Sequence, residues 1–199
     1  MMEIQQGPVS VCVFCSSSKD VDAVYFDAAE EVGRQLGAAG FGLIYGGTRI
    51  GLMGAVARAA RETGSRVTGI VPEHIRAHVA DCEDPEALIV TPDMRQRKAM
   101  MEERADAFLT LPGGFGTLEE VLEVLTLKQL GLHTKPVVFL NTNGFFHPLR
   151  SLFEELYRQR FARREYESLY AFADSPAEAV TLIRQSLSSE LQPVVTKWT

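Results

Sequence analysis

The feature that most constrains this chain is the alternation of short apolar runs with longer amphipathic segments along its whole length. Runs of strand length are Val9 to Phe14, Gly42 to Tyr45, Arg66 to Val71, Ala87 to Val90, Ala107 to Leu111 and Pro136 to Leu140. Segments of helix length are Val21 to Ala39, Gly51 to Thr63, Asp93 to Arg104, Thr117 to Leu130, Phe146 to Phe161 and Pro176 to Leu187. Strands that are apolar on both faces need cover on both sides, and intervening helices supply it. The pattern therefore predicts a Rossmann-like α/β fold, a doubly wound parallel sheet. One core can hold 199 residues, so a single domain over 1–199 is expected, with 191–199 as a loose tail.

Charge and cysteine usage narrow the function classes. A net charge of -6 argues against nucleic acid as the main partner, because phosphate backbones recruit clustered Lys and Arg. The N-terminal MMEIQQGPVSVCVFCSSS lacks a basic start, and no apolar run reaches membrane-spanning length. A cytoplasmic protein is expected, with no membrane partner. Cys12 and Cys15 form a C-x-x-C, but within a strand-like run they point to opposite faces, which favours structural burial over redox or zinc chemistry. Cys82 stands apart from both.

In an open α/β sheet, ligands gather beyond the carboxyl ends of the strands. Three loops suit that place: Cys15 to Ser18, Gly46 to Gly54, and Pro112-Gly-Gly-Phe-Gly-Thr-Leu-Glu-Glu120. The second reads G-G-x-x-x-G-x-x-G and misses the dinucleotide order G-x-G-x-x-G. In the third, Gly113, Gly114 and Gly116 precede a helix, which suits either an anion held by backbone N–H groups or a tight turn with Thr117 as its cap. Glycine content alone does not separate these readings.

Helix phase separates the two acids of that stretch. Leu118, Val121, Leu122 and Leu125 form a stripe expected to face the sheet. Glu120 lies nearly opposite, in line with Val124 and Leu127, and so begins a second apolar face. Glu119 and Glu123 fall between and are expected in water. Glu120 is the carboxylate expected to act, at a cleft or a subunit interface. Met94, Arg97, Lys98 and Met101 also share one helical face, either as snorkelling cations or as an anion site. His74 and His78 have ligand spacing but no third partner, and read as a solvated pair, while His133 and His147 read as structural. No metal site, Walker lysine or G-x-S-x-G elbow is indicated.

The segments VCVFCSSS, LIYGGTRIGLMG, MRQRKAMM, PGGFGTLEE and LGLHTKPVVFLN, in this order, resemble the LOG family, the cytokinin riboside 5'-monophosphate phosphoribohydrolases. The resemblance spans about residues 9 to 160. Members have often been labelled "possible lysine decarboxylase", yet nothing in the sequence argues for a pyridoxal phosphate site. The resemblance implies hydrolysis of the N-glycosidic bond of an N6-modified adenosine 5'-monophosphate, with no cofactor and with a homodimer placing the site near its interface. By motif, Arg97 and Glu120 match the catalytic pair, and Lys98, Gly113, Gly114, Gly116 and Thr117 match nucleotide-binding positions. Ser16, Gly46, Gly47 and Met94 complete the candidate substrate-binding set. The chain departs from the family pattern at Arg95, where a histidine is common, at Ser16, where a glycine is common, and at His78-Val79-Ala80, where many members carry a glutamate. Arg97 could stabilise the leaving base or orient Glu120, and the sequence leaves both open. A non-catalytic nucleotide carrier of the same fold is the alternative.

Overall fold

A computed structural model describes residues 9–76 and 88–188. Its described residues form one sheet of parallel strands in the order β4-β3-β2-β1-β5-β6-β7. The strands are β1 (Ser10–Phe14), β2 (Gly42–Tyr45), β3 (Val67–Pro72), β4 (Leu88–Thr91), β5 (Ala107–Thr110), β6 (Val137–Leu140) and β7 (Ala171–Ala173). The helices are α1 (Ala23–Ala38), α2 (Gly51–Glu62), α3 (Glu73–Arg76), α4 (Met94–Arg104), α5 (Phe115–Gln129), α6 (His147–Arg158) and α7 (Pro176–Ser188).

Period-two alternation sends successive side chains of β1 to opposite faces. Val11, Val13 and Cys15 join a core under α1, α2 and α7, whereas Cys12 and Phe14 join a second core under α4, α5 and α6. Cys12 and Cys15 are thus buried free thiols on opposite sides of the sheet, as their spacing within a strand requires. Phe108 has no solvent exposure, and cutting such a ring to alanine costs about 3–5 kcal/mol. The helices α1 and α2 pack very closely: a Cβ on Gly33 would lie 2.5 Å from the Val56 carbonyl oxygen and 2.7 Å from the Ala59 Cβ.

Two differences from the sequence reading matter. The strand β7 is only three residues long, too short for its alternation to stand out, and it pairs with β6 at the sheet edge. The helix α5 begins at Phe115, with Gly114 at its N-cap, two residues before the start that glycine content suggested. Gly116 and Thr117 therefore belong to its first turn. Ala87, His78, Val79, Ala80 and Cys82 lie outside the described residues.

The strand order turns at β1: β2, β3 and β4 run out on one side, and β5, β6 and β7 on the other. The loops after β1 and β5 therefore flank the switch-point crevice.

Candidate active site

Three loops meet at this crevice through backbone hydrogen bonds centred on Ser16. Its N–H donates to the Pro112 carbonyl at 3.3 Å, and its own carbonyl accepts from Leu52 N at 3.0 Å and Met53 N at 3.3 Å. The Ser16 hydroxyl also accepts from Ser18 N at 3.0 Å. The start of α2 and the turn before α5 are thereby fixed to the end of β1. Between them opens a cleft of about 540 Å³, within the size range of small-molecule sites.

At its floor lies a buried ion pair. Arg97 Nη1 donates to Glu120 Oε1 at 2.6 Å, and Arg97 Nε donates to the Ile70 carbonyl at 3.0 Å. The two residues are 5% and 7% exposed. Arg97 stands in the first turn of α4, whose N-cap Asp93 accepts from Gln96 N at 2.8 Å and so fixes where the helix begins. Gly46 makes room for the guanidinium: a Cβ there would lie 2.6 Å from Arg97 Nη2. Burial pushes the Glu120 carboxyl above its ordinary range, and the charge and hydrogen bond of Arg97 partly oppose that rise.

Above the pair, Gly114, Gly116 and Thr117 line the cleft. The first N–H groups of a helix have no intrahelical acceptor, and the helix dipole makes them attractive to anions. A Cβ on Gly114 or on Gly116 would meet no atom within 4 Å, so both glycines leave the backbone open toward the cleft. Gly113 differs, because a Cβ there would fall 2.1 Å from Thr117 Oγ1. Its smallness lets Thr117 fold back into the turn.

Of the residues singled out from sequence, Arg97, Glu120, Gly114, Gly116, Thr117, Ser16, Gly46 and Met94 line the one cleft. Lys98, Gly113 and Gly47 are not among its lining residues. Lys98 reaches instead to Glu119 and, at 2.9 Å, to Glu123, which raise its pKa. Both acids are exposed, as expected, and from the surface they form this bracket between α4 and α5. Gly47, at φ 75°, turns the chain where a Cβ would meet Leu88 and Val71. The cleft also takes in Thr48, Ile50, Met53, Pro72 and Ile75, which the sequence reading left aside. Thr48, Ile50 and Met53 lie within the Gly46 to Gly54 loop, and their place in it was the available signal.

The face assignment of α5 needs correction. Its buried residues are Thr117, Glu120, Val121, Val124, Leu125 and Lys128, one stripe that includes Glu120. Leu118 is half-buried and Leu122 is 40% exposed, so the expected sheet-facing stripe turns outward on that side. The ion pair with Arg97 is what allows a carboxylate onto the inner face. His133 is structural, as expected: its Nε2 lies 2.9 Å from the Val124 carbonyl, its ring packs against Phe108, and burial lowers its pKa.

A cytokinin riboside 5'-monophosphate phosphoribohydrolase of Arabidopsis thaliana is 39% identical over 175 residues, covering 88% of this chain and 81% of that protein. The chain belongs to the LOG family. A LOG-family protein of Oryza sativa subsp. japonica with the same activity in its name is also 39% identical, over 88% of this chain and 72% of its own length. The sequence model of a family described as "Possible lysine decarboxylase" matches residues 53–183. Among solved structures, the molybdenum cofactor carrier protein of Chlamydomonas reinhardtii superposes with a TM-score of 0.70 at 24% identity, over 92% of this chain and 100% of that one. The molybdenum cofactor binding protein of Rippkaea orientalis gives 0.69 at 22%, over 92% and 99%. At such identities these two share the fold with the LOG-family chain.

Proposed function

We propose that this protein hydrolyses the N-glycosidic bond of adenosine 5'-monophosphate and its N6-modified forms, releasing the free base, adenine or a cytokinin, and ribose 5-phosphate. The observation that carries this reading is the buried Arg97–Glu120 pair on the floor of a cleft whose rim is an open helix start. Leaving a charge pair out of water is costly, and a site that only held a ligand would gain nothing from it. The carrier alternative is therefore not favoured, although carriers share the fold.

Cleavage of a ribosyl C–N bond passes through an oxocarbenium-like state. In this reading the Glu120 carboxylate stabilises the positive charge developing at C1′ and orients the attacking water, whose oxygen bonds to C1′ as the C–N electron pair leaves with the base. Arg97 holds Glu120 in place, since its Nη1 is already committed to that carboxylate and its Nε to Ile70. The 5'-phosphate rests on the N–H groups at Gly114, Gly116 and Thr117, and this remote contact lends binding energy to the reacting centre. Met53, Met94, Ile50 and Ile75 give the base an apolar wall.

A homodimer in the cytoplasm completes the proposal. Phe115, 94% exposed, and Leu122 support an interface along α5, and the free buried thiols of Cys12 and Cys15 suit a reducing compartment. No described helix is long and apolar enough to cross a membrane. The deciding experiment incubates the protein with AMP and with N6-isopentenyl-AMP and assays free base. Binding of both without release of base from either would overturn the hydrolase reading.

A further inference from the structure

We infer that Lys98 is a positioning residue for the reaction: bridged to Glu119 and Glu123, it sets α4 against α5 so that Arg97 and Glu120 meet in the cleft. The inference rests on the hydrolase reading. It gives Lys98 a different place from the nucleotide contact that family resemblance implies, because Lys98 is not among the residues that line the cleft.

Two neighbouring cations on α4 meet neighbouring acids on α5. Arg97 pairs with Glu120 on the buried side, and Lys98, one residue further round the helix, pairs with Glu119 and, at 2.9 Å, with Glu123. Glu119 and Glu123 stand at i and i+4 on α5, one turn apart on one face. A single ammonium held by both therefore fixes the height and the rotation of α5 against α4. The Lys98 side chain is the shielded member of the bracket, and the two carboxylates keep it charged by raising its pKa.

The helix α4 needs such a device because its apolar anchorage is thin. Of its eleven residues, Arg97 and Met101 are the buried ones. Polar contacts hold its two ends: Asp93 accepts from Gln96 N at 2.8 Å in the first turn, and Lys135 Nζ donates to the Glu102 carbonyl at 2.6 Å in the last. Between them, Arg97 reaches Glu120 through Nη1, a single contact about which the carboxylate can pivot. The bracket, one residue away on each helix, removes that freedom. Ion pairs open to water contribute little to stability, so the effect of this one lies in geometry. A misplacement of about 1 Å at a reacting group can cost roughly 10²-fold in rate.

The test measures kcat and KM separately, with AMP as substrate, for wild type, Lys98→Met, the double variant Glu119→Gln, Glu123→Gln, and the triple combination. Lys98→Met should lower kcat roughly tenfold to a hundredfold with KM nearly unchanged. The acid variant leaves Lys98 in place and should lower kcat to a similar extent, and the triple variant should fall no further, since all three remove one bracket. Lys98→Arg, whose charge can still span both acids, should restore most of the rate. Melting temperatures should stay close to that of wild type throughout. If Lys98→Met folds poorly, the acid variant carries the test by itself. A raised KM with kcat intact in Lys98→Met, or wild-type kcat in the acid variant, would overturn the positioning role while leaving the hydrolase reading in place. Wild-type protein that releases no base would instead overturn the hydrolase reading, and the positioning role with it.

Discussion

Arg97 and Glu120 stand 23 residues apart on different helices and meet at 2.6 Å, both nearly excluded from water. The pair makes two substitutions diverge. Glu120→Gln keeps the shape and leaves Arg97 its carbonyl partner at Ile70, so the protein should fold and bind AMP while kcat falls roughly 10²–10⁴-fold. Arg97→Met strands a buried carboxylate and should cost about 3–5 kcal/mol of stability as well as activity. Paired thermal melts and product assays read both effects, and full activity in Glu120→Gln would refute the role given to that carboxylate.

The pH profile should carry the mark of Glu120. Burial holds its carboxyl above the ordinary range, and catalysis in this reading needs the carboxylate. The acid limb of kcat/KM should therefore lie above the ~4.3 of a free glutamate. Replacing Arg97 with glutamine removes the opposing charge and should move that limb to still higher pH. Stability follows from the same raised pKa. Between the unfolded and folded values the native state binds more protons, so this contribution is complete below the unfolded value and is lost as pH rises through the folded one. Glu120→Gln should flatten that part of a stability–pH curve measured by urea unfolding.

The glycines of the helix start should respond oppositely to alanine. Gly114 has φ -90°, which any residue adopts, and its Cβ would point into open cleft. Gly114→Ala should therefore leave the melting temperature nearly unchanged and raise KM. Gly113→Ala forces a methyl onto Thr117 Oγ1 and should cost about 1–3 kcal/mol, read as a lower melting temperature. If both variants melt alike and both retain wild-type KM, Gly114 does not face the substrate.

Much of this was legible because strand and helix periods are local properties. Cys12 and Cys15 could be assigned to opposite faces from spacing alone, and the sheet places them so. Helix phase put Glu120 with Val124 on a second apolar face, and both are buried there, but it failed for the other stripe of α5 for a reason that sequence distance hides. Leu118 and Leu122 look like core residues yet turn outward, because the charge of Arg97 lets Glu120 take the inner side. Gly46 is similar. Its need for smallness comes from Arg97 Nη2, which is remote in sequence and adjacent in space. Lys98 was grouped with Arg97 by periodicity, yet one further residue of helical rotation carries it out of the cleft to Glu119 and Glu123. The strand β7 escaped notice because three residues hold too little pattern.

Lys128 supplies a prediction of stability without any catalytic component. It lies on the inner stripe of α5, 7% exposed, and burial holds its ammonium down to about 8 from an ordinary 10.5. A depressed lysine penalises the native state wherever both states are charged, by an amount on the order of 3 kcal/mol below pH 8. That penalty should fade between about pH 8 and 10.5, where the unfolded chain holds the proton more tightly than the folded one. Lys128→Met keeps the buried stem and should raise the melting temperature at pH 7, with a smaller gain at pH 10. A variant less stable than wild type at both pH values would show that the ammonium has a favourable partner.

The outward stripe of α5 bears on assembly. Phe115, Leu118 and Leu122 stand at i, i+3 and i+7, and Phe115 is 94% exposed. Each large apolar side chain taken out of water contributes about 1.5–3 kcal/mol, so a second copy covering this stripe would gain substantially. Phe115 also lies between Gly114 and Gly116, both of which line the cleft, so an interface formed there would border the nucleotide site. Sedimentation should show a dimer at micromolar concentration and a monomer for Leu122→Glu, whose added charge would be buried by association. Specific activity of the wild type should then fall on dilution through the dissociation range, whereas an uncoupled site would keep it constant. A wild-type protein that sediments as a monomer throughout would remove the interface, and with it the link between dilution and turnover.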